Sequence, residues 1–239
     1  MKAFLLTALQ VLFTLWLYVL GIIILGLSIF PGVLLCYFTW AQTATWALLT
    51  RILVFCFVLV AGYFVHGFAL ILIVGFLRVI FRLNLHEGNY PIVSAVAAKW
   101  FVANALQTLV SVTFMDFILL TPFANLFYRT LGARLGSNVQ INSKFCADAS
   151  LLEIGDGSVI GGHATVIGHV FERDRLILKR VKIGKHVVVG LNAIVLPGSE
   201  IGDGALIAAG AVLPKDTNVP PRSVYLGILS ESSKGRQVA

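Results

Sequence analysis

The sequence predicts apolar α-helices in the first half of the chain and a parallel β-helix in the second half. Three observations carry this prediction: two apolar runs long enough to cross a bilayer, an aliphatic residue that returns at every sixth position, and a change of composition near residue 135. Up to residue 134 the chain holds two acidic residues against seven Lys or Arg, whereas the rest holds 9 acidic and 11 basic residues.

The two apolar runs predict membrane-spanning helices over residues 4–29 and 52–82. The first run ends at Pro31–Gly32, and Arg51 and Arg78 flank the apolar part of the second. Each run is longer than the roughly 20 residues that cross a hydrocarbon core. A cleaved signal peptide is disfavoured. The apolar region of a signal peptide is shorter than residues 4–29, and the small-x-small cleavage site that would follow it is not found here.

Two further apolar segments, 33–50 and 94–120, are less suited to lipid. The first is short and rich in Trp and Thr, which predicts a kinked continuation of the first span or an interfacial segment. The second contains Lys99, Asn104, Gln107 and Asp116, which are costly in a lipid-exposed span. We therefore expect it to lie in the interface or against neighbouring helices.

The charge distribution predicts an orientation rather than a nucleic-acid partner. The formal net charge is +7, and most of it lies in the apolar half. Basic residues beside apolar helices favour the cytoplasmic headgroups. Lys2, Arg78, Arg82 and Lys99 then lie on one side, which places the β-helix in the cytoplasm and Arg51 near the opposite face. The three cysteines have neither metal-ligand nor disulfide spacing, and no metal is predicted.

The six-residue ladder predicts the β-helix. Each flat face of a triangular coil takes six residues, with an aliphatic side chain pointing inward and a small one beside it. The aliphatic positions are Ile154, Ile160, Val166, Ile183, Val189, Val195, Ile201, Ile207 and Leu213, and the small positions are Ser158, Ala164, Ala193, Ser199, Ala205 and Ala211.

The ladder is interrupted once, between Val166 and Ile183, and 17 is not a multiple of six. Extra residues in a stacked prism must leave its wall as a loop. This loop holds the most charged stretch of the chain, from Gly168 to Arg175, and includes His169. Loops on rigid scaffolds often carry function, although a solvated loop is the simpler alternative.

The ladder, the interruption with its His and the segment Ile183–Asp216 resemble the hexapeptide-repeat acyltransferases over about residues 130–227. The resemblance implies a left-handed β-helix, a homotrimer, and acetyl-CoA or another acyl thioester as the donor substrate. It also implies that a hydroxyl or an amine is acylated.

A closer resemblance extends into the apolar half. His86-Glu87-Gly88-Asn89-Tyr90-Pro91, Leu119–Phe123, Leu131–Gly136 and His169–Glu172 are similar to the membrane-embedded terminal repeats of poly-ε-lysine-synthetase-like nonribosomal peptide synthetases. Those repeats join an amine to an enzyme-held aminoacyl thioester. This chain has one such repeat and no adenylation or carrier domain.

The resemblance also implies site residues. His169 takes the place of the general base, and a neutral imidazole suits that role because its ordinary pKa is near 6.5. Glu172 is expected to orient the ring, Asn142 to hold the acceptor, and Ala209, Gly210 and Lys215 to line a CoA groove between subunits. Lys215 or Arg222 is expected to contact phosphate, although Val219-Pro220-Pro221-Arg222 departs from the family's closing turn.

The sequence therefore predicts three segments: a membrane-embedded helical domain (1–131), a left-handed β-helix (132–227) and a polar tail (228–239). The predicted function is acyl transfer from acetyl-CoA to a membrane-associated acceptor, with the bilayer and a lipid-linked acceptor or a carrier protein as partners. Two alternatives remain: amide bond formation from an aminoacyl or carrier-bound thioester, and a non-catalytic trimeric scaffold in the membrane.

Overall fold

The computed structural model describes residues 2–227, so the predicted polar tail lies outside the described residues. Five α-helices precede the β-helix in this part of the chain. They are α1 (Lys2–Gln42), α2 (Leu48–Ile80), α3 (Ala95–Thr113), α4 (Met115–Ile118) and α5 (Pro122–Thr130). Three segments are long and apolar enough to cross a membrane, as judged by length and composition: Thr7–Gln42, Leu48–Ile80 and Ala95–Thr113.

Helix α1 continues through Pro31 to Gln42, so most of segment 33–50 prolongs the first helix, which was one of the two predicted alternatives. A proline removes one backbone donor, and in so long a helix the flanking turns keep the helical path. Two helix boundaries differ from those predicted. Helix α2 begins at Leu48, before Arg51, and α3 ends at Thr113 rather than near residue 120.

Helices α1 and α2 form an antiparallel hairpin in which two glycines bring the backbones close together. A Cβ on Gly32 would lie 2.6 Å from the carbonyl oxygen of Gly62, so only glycine fits there. Small residues allow this close packing between apolar helices. At the turn of the hairpin, the Arg51 guanidinium lies 3.6 Å from the Trp40 ring centroid and donates to the Trp40 carbonyl.

The second half is a parallel β-helix with three sheets. Face 1 contains β3 (Gln140–Ile141), β5 (Val159–Ile160), β10 (Val188–Val189), β13 (Leu206–Ile207) and β16 (Val224–Tyr225). Face 2 contains β6 (Thr165–Val166), β11 (Ile194–Val195) and β14 (Val212–Leu213). Face 3 contains β2 (Arg134–Leu135), β4 (Leu152–Ile154), β9 (Val181–Ile183), β12 (Glu200–Ile201) and β15 (Asn218–Val219).

The interior of the prism confirms the six-residue ladder. All nine aliphatic positions and all six small positions are buried. This core continues without a break into the helices, where Leu70, Val74, Leu106 and Phe127 belong to the same cluster of buried side chains. The helical part and the prism therefore pack as one body.

The outward faces of the prism differ in chemistry. Face 3 carries charges of alternating sign, with Arg134 paired to Glu153 and Lys182 paired to Glu200. Face 1 instead presents Val188, Leu206 and Val224, which are 39%, 42% and 60% exposed. Face 3 is thus suited to solvent, and face 1 leaves apolar surface uncovered.

The first coil of the prism, residues 134–151, contains β2 and β3. Helix α3 lies against this coil, as expected for a segment packed on its neighbours. The Gln107 side chain is buried and donates to the Cys146 carbonyl over 2.6 Å. A polar side chain that would be costly in lipid is thereby satisfied by the β-helix.

The glycine contact between α1 and α2 leads to a prediction. Gly32→Ala should lower the free energy of unfolding by about 1–3 kcal/mol, because the new methyl group meets backbone that cannot rotate away. Gly26→Ala in the same helix has nothing within 4 Å of the new methyl group, so better helix propensity should make it neutral or stabilising. Thermal unfolding in detergent compares the two variants, and equal effects would contradict the close contact.

Candidate functional site

The interruption of the ladder is an ordered hairpin rather than a solvated loop. Strands β7 (His169–Glu172) and β8 (Arg175–Leu178) pair antiparallel. A third strand, β1 (Gly88–Pro91), from the connection between α2 and α3, pairs antiparallel with the other edge of β8. A small three-stranded sheet therefore leaves the wall of the prism, and His169 is the first residue of one of its strands.

The two faces of this sheet separate the side chains of β7. Successive side chains in a strand point to opposite faces, so His169 and Phe171 share one face and Val170 and Glu172 share the other. On the His169 face, Leu176 and Leu178 are buried in a cluster with Trp100, Leu85 and Leu151. The His169 side chain, 20% exposed, lies at the margin of this apolar cluster.

The His169 ring is held by a buried carboxylate, Asp148. Ring nitrogen Nδ1 lies 2.6 Å from Asp148 Oδ2, and the side chain of Asp148 is 0% exposed. The same oxygen accepts from the Gly168 backbone N–H at 3.0 Å. The other oxygen, Oδ1, accepts from Trp100 Nε1 at 2.7 Å and from Asn104 Nδ2 at 3.3 Å.

This arrangement fixes the ring nitrogen that is available for chemistry. A carboxylate accepts hydrogen bonds, so Nδ1 carries the proton and Nε2 of a neutral ring keeps its lone pair. Within the described residues, His169 Nε2 has no hydrogen-bond partner. The dyad of Asp148 and His169 can therefore accept a proton at Nε2, as the orienting carboxylate of a catalytic triad allows.

Aromatic side chains connect the dyad to the helices. The ring centroid of Trp100 lies 4.6 Å from that of His169 and 5.2 Å from that of Phe171. Phe101 continues this surface from Phe171, at 6.5 Å, to Phe13 of α1, at 6.3 Å. We call Trp100, Phe171, Phe101 and Phe13 the aromatic surface. It runs from the dyad to a helix that is apolar enough to cross a membrane.

The structure corrects the role predicted for Glu172. Glu172 lies three residues after His169, and an odd separation places the two side chains on opposite faces of the strand. Its carboxylate is paired with Lys215, and the ring is oriented by Asp148 instead. Lys215 thus meets a carboxylate within the chain, and Lys179 is paired with Asp216 beside it.

The remaining predicted residues are distributed over all three corners of the prism. Asn142 follows β3, and Ala209 and the exposed, positive-φ Gly210 lie between β13 and β14, at the corner between faces 1 and 2. Lys215 lies at the corner between faces 2 and 3, from which the hairpin with His169 also leaves, and it pairs with Glu172 of that hairpin. Arg222 lies at the corner between faces 3 and 1. A single chain therefore places Lys215 beside the hairpin, whereas Asn142, Ala209, Gly210 and Arg222 lie at the other two corners.

The segment His86–Pro91 has a structural role that sequence reasoning did not reveal. Arg175 donates from Nε to Asn89 Oδ1 at 2.7 Å and from Nη2 to the Asn89 carbonyl at 2.8 Å. Arg180 pairs with Glu87 at 3.1 Å. The segment therefore clamps the hairpin that presents His169. The sequence showed where this segment lies between the apolar stretches, but it did not show that the segment pairs with β8.

Asp148 was also missed. It lies 21 residues before His169, in the imperfect first coil, where the ladder gives no register. Its backbone is in the left-handed region with φ 57°. A lone acidic residue between the apolar Phe145-Cys146-Ala147 and Ala149 was the one available signal.

Cys146, two residues before Asp148, is not suited to act as a nucleophile. Burial raises the pKa of its thiol to about 12, and a hydrogen bond from Tyr128 opposes this only in part. The thiol is therefore neutral at pH 7, whereas the thiolate is the reactive form.

Comparison with known protein families matches residues 180–215 to the bacterial transferase hexapeptide family, described as six repeats. Galactoside O-acetyltransferase of Escherichia coli (strain K12) is 31% identical over 39% of this chain and 52% of that protein. Delta-poly-L-ornithine synthetase of Acinetobacter baumannii (strain AB307-0294) is 25% identical over 48% of this chain and 9% of that protein. The chain spans less than two thirds of the length of these curated relatives.

The solved structures that are similar to this chain include a maltose O-acetyltransferase from Clostridium difficile 630. It is 19% identical over 59% of this chain and 88% of that chain, with a TM-score of 0.43. A hexapeptide-repeat containing acetyltransferase from Vibrio cholerae O1 biovar eltor, complexed with acetyl coenzyme A, is also similar. It is 19% identical over 60% of this chain and 91% of that chain, with a TM-score of 0.44. The family match and the named relatives confirm the predicted resemblance to the hexapeptide-repeat acyltransferases. The predicted fold class, apolar N-terminal helices followed by a left-handed parallel β-helix, is also confirmed.

The clamp on the hairpin leads to a prediction. Arg175→Ala removes two hydrogen bonds to Asn89 and should speed amide hydrogen exchange in β7 and β8 about fivefold, which corresponds to about 1 kcal/mol of local stability. Arg173→Asn, in the exposed hairpin turn at φ 54°, is the matched control, because Asn tolerates this conformation. Exchange measured by mass spectrometry would contradict the clamp if both variants behaved like the wild type.

Proposed function

We propose that the protein is an integral-membrane acyltransferase. It moves an acyl group from acetyl-CoA or a related thioester to a hydroxyl or amine of a membrane-associated acceptor, and His169 is the general base. The observation that carries this proposal is the buried Asp148–His169 dyad at the one interruption of the hexapeptide ladder. The acetyltransferase names of relatives support the class of reaction.

The chemistry follows from the ring geometry. His169 Nε2 removes the proton of the acceptor O–H or N–H as the acceptor attacks the thioester carbonyl. The C–S bond then breaks, and the CoA sulfur takes the proton back from the imidazolium. Asp148 keeps the ring in its tautomer and stabilises the imidazolium between these two transfers.

The position of the aromatic surface supports an acceptor at the membrane. Phe13 and Trp40 are 27 residues apart in α1, which is about 40 Å along a helix. A hydrocarbon core is about 30 Å thick, and Trp residues favour its boundary. With Trp40 at one boundary, Phe13 lies at the opposite headgroup layer, and the aromatic surface connects it to the dyad. At this end, Arg78 lies in the last turn of α2, Arg82 follows that helix and Lys99 lies near the start of α3, which favours the cytoplasmic side.

The apolar face 1 supports a homotrimer, the assembly that the family resemblance implies. Val188, Leu206 and Val224 point outward on successive coils and remain exposed in a single chain. Covering them with a second copy removes apolar surface from water. A groove between copies would take its CoA-binding residues from different corners, as the separate places of Ala209, Gly210, Lys215 and Arg222 require.

A second candidate function is amide bond formation from an aminoacyl or carrier-bound thioester. The similarity to Delta-poly-L-ornithine synthetase favours it. The same dyad could deprotonate an amine acceptor, so the two functions differ in the donor. Mass spectrometry of the products, with acetyl-CoA in one reaction and a carrier-bound aminoacyl thioester in the other, separates them.

The central prediction concerns the base. His169→Ala should lower acetyl-CoA turnover, measured as release of the CoA thiol in nanodiscs, by about 10²–10⁴-fold. Asp148→Asn should lower it by at least about tenfold, because the tautomer and orientation of the ring are lost. His186→Asn, an exposed histidine at a coil corner with φ 53°, is the control and should keep full turnover. Unchanged turnover in His169→Ala would remove His169 from the mechanism. Failure of the wild type to bind or turn over any thioester would favour the scaffold.

The proposed trimer gives a second prediction. Leu206→Asp places a charge in the apolar face 1 and should convert trimers to monomers in detergent, measured by native mass spectrometry. Asn218→Asp adds the same charge on the polar face 3 and should leave the trimer intact. Dissociation by both variants, or by neither, would contradict an interface on face 1.

A further inference from the structure

Two side chains of helix α3 approach the dyad from outside the β-helix. Trp100 and Asn104 are one helical turn apart and therefore lie on the same face of α3. Both donate to Asp148 Oδ1, over 2.7 Å and 3.3 Å. The carboxylate is fully buried, so water does not replace these donors if they are lost.

We propose that Trp100 and Asn104 are positioning residues of the catalytic centre, and that α3 is thereby part of the catalytic machinery. They act through Asp148. Both donate to its Oδ1, and its Oδ2 binds His169. This inference rests on the proposed function, because it assigns to α3 a role in the same proton transfer.

The geometry separates this role from simple packing. Each Asp148 oxygen has a distinct set of donors: Gly168 N–H and His169 Nδ1 bind Oδ2, and the two α3 side chains bind Oδ1. A partial rotation of the carboxylate about its last bond would move both oxygens away from their donors at once. The indole of Trp100 also lies against the imidazole, with a centroid distance of 4.6 Å and an interplanar angle of 60°. Trp100 thus restrains both partners of the dyad.

A double-mutant cycle tests the proposal. Trp100→Phe keeps an aromatic ring but is smaller and has no N–H donor, and Asn104→Leu keeps volume and removes the amide. Each should lower kcat for acetyl-CoA turnover about tenfold and leave KM for acetyl-CoA unchanged. In an Asp148→Asn background, the same changes should alter kcat by less than about twofold, because residues that act through one partner are not additive.

The controls keep a structural effect apart from a positioning effect. Trp46→Phe, at an exposed site near the turn between α1 and α2, should leave kcat unchanged. Thermal unfolding identifies any variant that does not fold. An equal loss of kcat in both backgrounds, or no loss in the wild-type background, would overturn the proposal. Activity retained by His169→Ala would instead overturn the proposed function.

A spectroscopic measurement tests the inference without a substrate. In protein labelled with ¹⁵N-histidine, the His169 signals, assigned by their absence in His169→Ala, should show one tautomer protonated at Nδ1. Trp100→Phe and Asn104→Leu should shift this population toward the mixture seen in Asp148→Asn. Wild-type signals in both α3 variants would show that α3 does not position the dyad.

Discussion

A fully buried carboxylate requires hydrogen-bond donors, and Asp148 receives them from two separate parts of the chain. One is the pair Gly168 and His169, where the hairpin leaves the β-helix, and the other is helix α3. Leaving a buried charge without its partner costs about 3–5 kcal/mol. The prism, the hairpin and the helices can therefore depart from their relative positions only at a substantial energetic cost. Together with the buried core that the two halves share, this group fixes the geometry of the interface between them.

The hairpin depends on the same arrangement from its other side. Strand β1 belongs to the connection between α2 and α3, yet it pairs with β8 and so completes the sheet that carries His169. Arg175 and Arg180 strengthen this pairing through Asn89 and Glu87. The dyad is thus held by α3 through Asp148 and by the preceding connection through the hairpin. A rearrangement of the helices would reach both partners of the dyad at once.

How much could be read from the sequence depends on whether the signal was local. The six-residue ladder is a local repeat, and every position that it assigned to the interior is buried. The interruption located His169 because it breaks that repeat. Asp148 could not be found in this way, since it lies in the first coil, where helices rather than another coil cover the prism end. Its partners Trp100 and Asn104 are 48 and 44 residues away, and only the folded chain brings them together.

Strand parity accounts for the error at Glu172. The sequence placed Glu172 near His169 by number, whereas a β-strand separates residues i and i+3 onto opposite faces. Knowing that residues 169–172 form a strand would have excluded Glu172 as the orienting group. At Pro31 the sequence left two alternatives for the following segment, and α1 continues through the proline to Gln42. The error at Glu172 came from using the distance along the sequence without the backbone conformation of the residues between.

The polar residues of α3 argue against reading the first half of the chain as an anchor alone. Trp100, Asn104 and Gln107 follow at i, i+4 and i+7, which places them on one helix face, and all three donate to the first coil. Trp100 has a second contact, because its ring packs against both His169 and Phe171. The side chain that fixes the carboxylate is therefore also the start of the aromatic surface that reaches α1. The orientation of the proposed base and the aromatic surface share one residue, so a change at Trp100 affects both.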